Sequence, residues 1–181
     1  MGRALPGVSL RVVTDTGAAC AAGDIGQIEV RGPNVFAGYW RMPEKTAEEF
    51  SADGYFKTGD VGKVDVNGYT TIVGRSKDLI ITGGYNVYPA EVESTLNELP
   101  GVAESAVIGV PHADFGEAVV AVVVLKAGAQ IDGAALAAVL KSRIANFKVP
   151  KKVVVVTELP RNAMGKVQKK LLREQHQGLF A

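Results

Sequence analysis

Cysteine is almost absent from this chain of 181 residues, where Cys20 stands alone. Counting therefore excludes an internal disulfide and a cysteine-based zinc site, and a reducing cytoplasmic location is expected. Long apolar runs are also missing. The longest, Ala118 to Leu125, falls far short of the roughly 20 residues that a membrane-spanning helix needs. The opening Met1-Gly2-Arg3-Ala4-Leu5-Pro6 lacks the apolar stretch of a secretory signal. No membrane partner is expected. Charge of one sign is scarce as well: 20 Lys+Arg against 19 Asp+Glu leave +1, which removes any whole-surface attraction for nucleic acid. The only histidines, His112 and His176, have no third ligand at a metal-binding spacing, so they read as turn or surface residues and no metal site is expected. A Gly-x-Ser-x-Gly elbow is absent, which leaves a serine hydrolase unsupported.

What is present suffices for a core. Hydrophobic residues make up 47% and charged residues 22%, ordinary values for a globular chain, and the length allows one domain or two small ones at about 150 residues per domain. The first 75 residues read as β and turn, with short β-branched stretches at Ser9 to Val13 and Gln27 to Arg31. Residues 64–73 alternate around Asn67-Gly68, which predicts a hairpin closed by a two-residue turn. Pro43 to Phe50 predicts a short surface helix opened by its proline. Phe36, Tyr39, Trp40 and Phe50 are expected to pack this β-rich part.

Beyond Arg75 the pattern changes. Asp78 to Thr82 reads as a strand broken by Gly83-Gly84, and Pro89 opens a helix with Val92, Leu96 and Leu99 on one face. Valine-rich strands follow at Val102 to Val110 and Glu117 to Leu125. Asp132 then caps a helix carrying Leu136, Leu140 and Ile144, and a last strand spans Lys152 to Thr157. The fold class expected is α+β: a small β-rich subdomain over residues 1–75, then a compact α+β domain over 76–181.

Three segments could carry chemistry. Residues 141–173 hold ten Lys+Arg and one acid, Glu158, a basic segment whose bland reading is a solvated face. Within it, Pro160-Arg161-Asn162-Ala163-Met164-Gly165-Lys166 fails as a phosphate-binding P-loop, since Pro160 and Val167 occupy the positions that need Gly and Ser or Thr. A lysine after a glycine turn remains, able to swing toward an anion. Tyr55-Phe56-Lys57-Thr58-Gly59-Asp60 offers a carboxylate suited to ribose hydroxyls, and Gly74-Arg75-Ser76-Lys77-Asp78 offers a guanidinium suited to phosphate or ribose oxygen.

Together with Gln27-Ile28-Glu29-Val30-Arg31-Gly32-Pro33 and Gly38-Tyr39-Trp40, these segments resemble, in order and spacing, core motifs of the adenylate-forming superfamily: acyl-CoA synthetases, luciferases and peptide-synthetase adenylation domains. The resemblance implies that residues 1–75 are the last subdomain of a large AMP-binding domain and that the rest is a mobile catalytic lid. It implies ATP, magnesium and coenzyme A as cofactors, and a two-step reaction through an acyl-AMP. Asp60 would hold the ribose hydroxyls, Arg75 the ribose and phosphate region, Lys77 the hinge, and Gly83 and Gly84 the border of the pantetheine tunnel. Lys166 would act during adenylation. A protein lysine acetyltransferase is implied as a partner that could silence Lys166.

Gly38 to Thr46, Lys77 to Gly84 and Pro111 to Glu117 are most similar in wording to malonate- or methylmalonate-activating synthetases. The family's ATP loop, adenine-binding segment and Thr-Glu magnesium motif have no counterpart in these residues. The expectation is a C-terminal part of an acyl-CoA ligase, inactive alone. The alternatives are a stand-alone interaction module or acetylation substrate, and a peptide-synthetase adenylation domain.

Overall fold

The structure, a computed structural model, describes residues 2–180. Its contacts divide the chain into two compact units, Met1–Lys77 and Asp78–Ala181, so the division falls two residues beyond the Arg75 boundary read from the sequence.

The first unit is an antiparallel meander of four strands in chain order, β1 (Ser9–Val13), β2 (Gly26–Arg31), β3 (Phe56–Val64) and β4 (Thr70–Arg75), with a short helix α1 (Pro43–Glu49) between β2 and β3. Its apolar core is small: Val12, Val13, Ile28 and Val61 are buried. Charge pairing supplements it. Register places Arg11 of β1 opposite Glu29 of β2, where cross-strand neighbours on one face can bond, and Arg11 Nε donates to Glu29 Oε2 at 2.7 Å. The remaining guanidinium nitrogens reach both oxygens of Asp53 at 2.5 and 3.0 Å. Tyr55 presents its ring to Arg11 and to Arg31, at 3.9 and 4.6 Å. Hydrogen bonds from Arg11, and then from Ser51, hold the Asp53 carboxyl down at about 2, while the Asp53 and Glu29 hydrogen bonds raise the Arg11 guanidinium.

Phe36 packs edge-on against Tyr39, Phe50 and Phe56, with centroids 5.1, 5.7 and 5.1 Å away. The aromatic cluster is therefore real, with one correction. Trp40 is 84% exposed, with the Arg41 guanidinium over its ring.

The β3–β4 hairpin forms, but not through a two-residue turn. Asp65 N–H donates to Tyr69 O and Gly68 N–H to Asp65 O, and only Gly68 has positive φ, at 81°. This is a three-residue loop with a left-handed glycine closing it. The Asp65 carboxylate decides the choice, because it accepts the N–H groups of Asn67 and Tyr69, each at 2.8 Å.

The second unit contains β5 (Ile80–Thr82), β6 (Tyr85–Val87), α2 (Pro89–Asn97), β7 (Val102–His112), β8 (Gly116–Leu125), α3 (Gly133–Leu140), β9 (Lys152–Val156) and α4 (Lys169–His176). The sheet runs β6-β5-β8-β7, with β9 parallel to β8 on the side that β5 leaves open. Its period of two sorts the core. Val107, Val119, Ala121 and Val123 face Val92 and Leu96 of α2 and Leu136 and Leu140 of α3, while Ala106, Ile108, Val110, Val120 and Val122 face Leu172 of α4 and Leu159 from the segment after β9. Helices thus cover both faces, as an all-apolar central strand demands.

Asp132 caps α3 by accepting Ala135 N–H at 2.6 Å. The helix ends at Leu140, so Ile144 lies past it, packed against the same core from the following turn. The edge strand β7 is guarded by α2: Glu93 accepts Val107 N–H at 2.7 Å and pairs with Lys169 of α4 at 2.7 Å.

Candidate functional site

In the first unit the sequence-derived pair Asp60 and Arg75 is brought together by register. The two residues oppose each other across β3 and β4, and Arg75 Nε meets Asp60 Oδ1 at 2.8 Å. An irregularity between Val61 and Gly62 sets that pairing. Upstream, Thr58 Oγ1 donates to Ile28 O and accepts Asp60 N–H, which fixes the approach to Asp60 from both sides. Arg75 is 56% exposed and Asp60 23%, so Asp60 Oδ2 and the outer guanidinium nitrogens stay within reach of a ligand.

Arg75, Ser76 and Lys77 line a cavity of about 420 Å³ with Tyr39, Phe56, Thr58 and Gly59. A neighbouring cleft of about 700 Å³ shares Glu49, Lys57, Gly59 and Ser76 with it and continues past Arg11, Thr14 and Gln27. Polar hydroxyls, a carboxylate and cations along one groove suit a sugar-phosphate ligand. Sequence reasoning missed Gln27, whose Nε2 donates to Ser76 Oγ at 3.2 Å and so fastens the residue before Lys77 to β2. Lys77 itself lies in the 3-10 turn Ser76–Asp78 and ends the first unit.

In the second unit Gly83 and Gly84 form the tip between β5 and β6, with φ of 56° and 81°. Two consecutive left-handed residues define a turn that side chains disfavour. The tip is fastened from outside: Gly83 N–H bonds to Phe115 O, Ile81 N–H to Glu117 Oε2 at 2.8 Å, and Tyr85 stacks on Phe147 at 4.7 Å. Glu117 and Phe147 left no signal in the local pattern, since both act from distant strands and turns.

The basic segment is not a uniform patch. Arg143, Lys148, Arg161, Lys169 and Arg173 pair with Glu98, Glu91, Glu104, Glu93 and Asp78, acids that lie 45 or more positions upstream. Lys170 lies 3.8 Å from Glu174, and Lys151 sits over the Phe115 ring. Lys166 is exposed and has no ion pair among the described residues. It closes a loop in which Arg161 bridges to Val167, Asn162 N–H donates to Lys166 O, and Gly165 N–H donates to Asn162 O. The loop therefore presents an ammonium group that neighbouring carboxylates do not neutralise. Such a cation can stabilise charge that develops on a bound anion.

For magnesium, the described residues hold no group of three or more His, Cys, Asp or Glu able to form a cage. No residue of this chain is assigned to the metal.

Residues 91–166 match the AMP-binding enzyme C-terminal domain family. A 3-[(3aS,4S,7aS)-7a-methyl-1,5-dioxo-octahydro-1H-inden-4-yl]propanoyl:CoA ligase of Rhodococcus jostii is 51% identical over 174 residues, which is 96% of this chain and 32% of the ligase. Malonate–CoA ligase of Arabidopsis thaliana is 42% identical, covering 96% of this chain and 30% of that protein. The crystal structure of ATP-bound MatB from Rhodopseudomonas palustris superposes with a TM-score of 0.95 at 60% identity, over 100% of this chain and 36% of MatB. The chain thus spans about a third of the length of the proteins it matches. The α+β second unit, with small sheets and four helices among the described residues of the chain, agrees with that domain in architecture. Residues 91–166 thus carry the AMP-binding enzyme C-terminal domain, and nearly the whole chain is similar to part of each of these ligases.

Proposed function

We propose that this chain serves as the C-terminal part of an AMP-forming acyl-CoA ligase that acts on malonate or methylmalonate in the cytoplasm. The likeness to ATP-bound MatB across the whole chain is the observation that carries the reading. In the first step a substrate carboxylate oxygen bonds to the α-phosphorus of ATP, the bond to the β-phosphate oxygen breaks, and pyrophosphate leaves. In the second, the coenzyme A thiolate attacks the acyl carbon and AMP departs. Asp60 Oδ2 accepts from ribose hydroxyls while its other oxygen stays on Arg75, whose outer N–H groups turn to ribose or phosphate oxygen.

Lys166 supplies positive charge as the carboxylate and α-phosphate draw together, a role that preorganised donors fill at a gain of about 3 kcal/mol. Lys77 is the pivot between half-reactions, and Gly83 and Gly84 lie along the pantetheine path. Magnesium would arrive on the nucleotide phosphates, which bind it with few protein ligands. The exposure of Lys166 favours a second role for the same residue, as the target of a lysine acetyltransferase that removes its charge.

The test joins this chain to the upstream part of Rhodopseudomonas MatB and measures ATP–pyrophosphate exchange with malonate, methylmalonate, acetate and long-chain fatty acids. Exchange strongest with malonate or methylmalonate, and lost on Lys166→Ala while supplied acyl-AMP still yields thioester, is expected. Equal loss of both half-reactions overturns the assignment of Lys166; a preference for long-chain acids overturns the substrate.

A further inference from the structure

Two loops of this protein share one hydrogen-bond pattern. In Asp65–Tyr69 the first residue bonds its backbone to the fifth, the fourth is a glycine at φ 81° that donates back to the first, and the Asp65 carboxylate accepts the N–H groups of the third and fifth residues. In Asn162–Lys166 every one of these bonds recurs: Asn162 N–H to Lys166 O, Gly165 at φ 78° to Asn162 O, and Asn162 Oδ1 accepting Met164 N–H at 3.0 Å and Lys166 N–H at 2.9 Å. One difference separates them. The anchor is a carboxylate in the loop that ends in Tyr69 and a neutral carboxamide in the loop that ends in Lys166.

Both side chains make the same two bonds, so loop geometry alone does not require asparagine at 162. Charge supplies the reason. A carboxylate fastened to the backbone N–H of Lys166 would lie within the reach of that residue's own side chain, and an ion pair of this kind would hold the ammonium against the loop. The loop is otherwise clamped. Arg161 Nη1 donates to Gly165 O at 2.7 Å, and its Nη2 is paired with Glu104 of β7, so that acid is already engaged by another cation.

We propose that Asn162 is the positioning residue for Lys166, and that its neutrality is part of the role. Its carboxamide oxygen sets the backbone from which Lys166 extends, without adding a charge that would capture the ammonium. This rests on the reading that Lys166 serves adenylation, and it adds a residue to which the family resemblance assigned no role. Arg161 completes the mount from the residue before the loop.

The experiment compares Asn162→Asp, Asn162→Ala and Lys166→Ala in two settings. In the 181-residue chain, hydrogen exchange reads the amides of Met164 and Lys166. In the fusion to the upstream part of MatB, pyrophosphate exchange and thioester formation from supplied acyl-AMP read the two half-reactions. Asn162→Ala is expected to expose both amides and to slow adenylation on the order of 100-fold, the usual effect of a displaced catalytic group. Asn162→Asp is expected to keep both amides protected, as Asp65 does in the other loop, yet to slow adenylation at least tenfold with thioester formation spared. Added salt should relieve part of that defect, because screening weakens a solvent-exposed pair.

Full adenylation by Asn162→Asp would overturn the proposal by reducing Asn162 to a loop staple. Amides that stay protected in Asn162→Ala would overturn it by removing the mount. Normal adenylation by Lys166→Ala would instead overturn the assignment of Lys166 to adenylation on which the proposal rests.

Discussion

The sheet of the first unit and the sheet of the second solve the same problem with different materials. In the first, Val12, Val13, Ile28 and Val61 are the buried apolar residues among those described, and Arg11 joins the buried Glu29 to the exposed Asp53 in an ionic clasp that Tyr55 covers. In the second, β8 is buried on both faces, with α2 and α3 over one side and α4 over the other. Apolar burial stabilises by about 25 cal/mol per Å², whereas exposed ion pairs contribute on the order of 0–1 kcal/mol each. The second unit can therefore hold a loop such as Asn162–Lys166 rigid on its own core, and the first depends more on strand register and surface pairing.

Substitutions can break this contrast. Leu96→Ala, at a fully buried site of α2, should destabilise the second unit by about 3 kcal/mol, visible as lost amide protection in β7 and β8 with the first sheet unaffected. Glu93→Ala should follow at about 2 kcal/mol, since it strips the acceptor from Val107 N–H and the partner from Lys169; chemical denaturation of this variant beside Leu96→Ala would rank the two. Val61→Ala, the matching truncation in the first unit, should take only about 1.5 kcal/mol, and a loss as large as that of Leu96→Ala would show the first core to be stronger than its few residues suggest.

The smallest effect concerns acid. The folded Asp53 carboxyl is held at about 2, below its ordinary 3.8, so its contribution is present above 3.8 and disappears as pH falls through 2. Asp53→Asn should flatten the stability profile of the first unit across that window, and an unchanged profile would dismiss the clasp.

Much of this architecture was legible in the residues. Ser9 to Val13 and Lys152 onward announced strands by their branching, Pro89 and Asp132 announced helix starts, and the valine run of β8 announced a strand, though not its central place in the sheet. The β6 strand escaped because three residues including Asn86 carry no period. The helix α4 escaped because its sequence reads as charge, with Leu172 as its one buried residue. The Asn67-Gly68 pair misled about the turn because the decisive acceptor, Asp65, sits two residues earlier.

At the candidate site the individual residues Asp60, Arg75 and Lys166 could be named from motif, whereas their environment could not. The bond between Asp60 and Arg75 depends on a register irregularity, and the isolation of Lys166 depends on acids from α2 and β7 that occupy its basic neighbours.

The valine-rich strand β8 has a consequence for synthesis of the chain. Ala118 to Leu125 combines strong strand preference with no charge or proline, the composition of segments that associate with copies of themselves. Its antiparallel neighbour β7 precedes it, but its parallel partner β9 begins only at Lys152. During translation the open flank of β8 therefore waits until some 25 further residues have emerged and folded back. That interval leaves a valine-rich edge open to other chains, and it makes β9 a shield against aggregation as well as a structural strand.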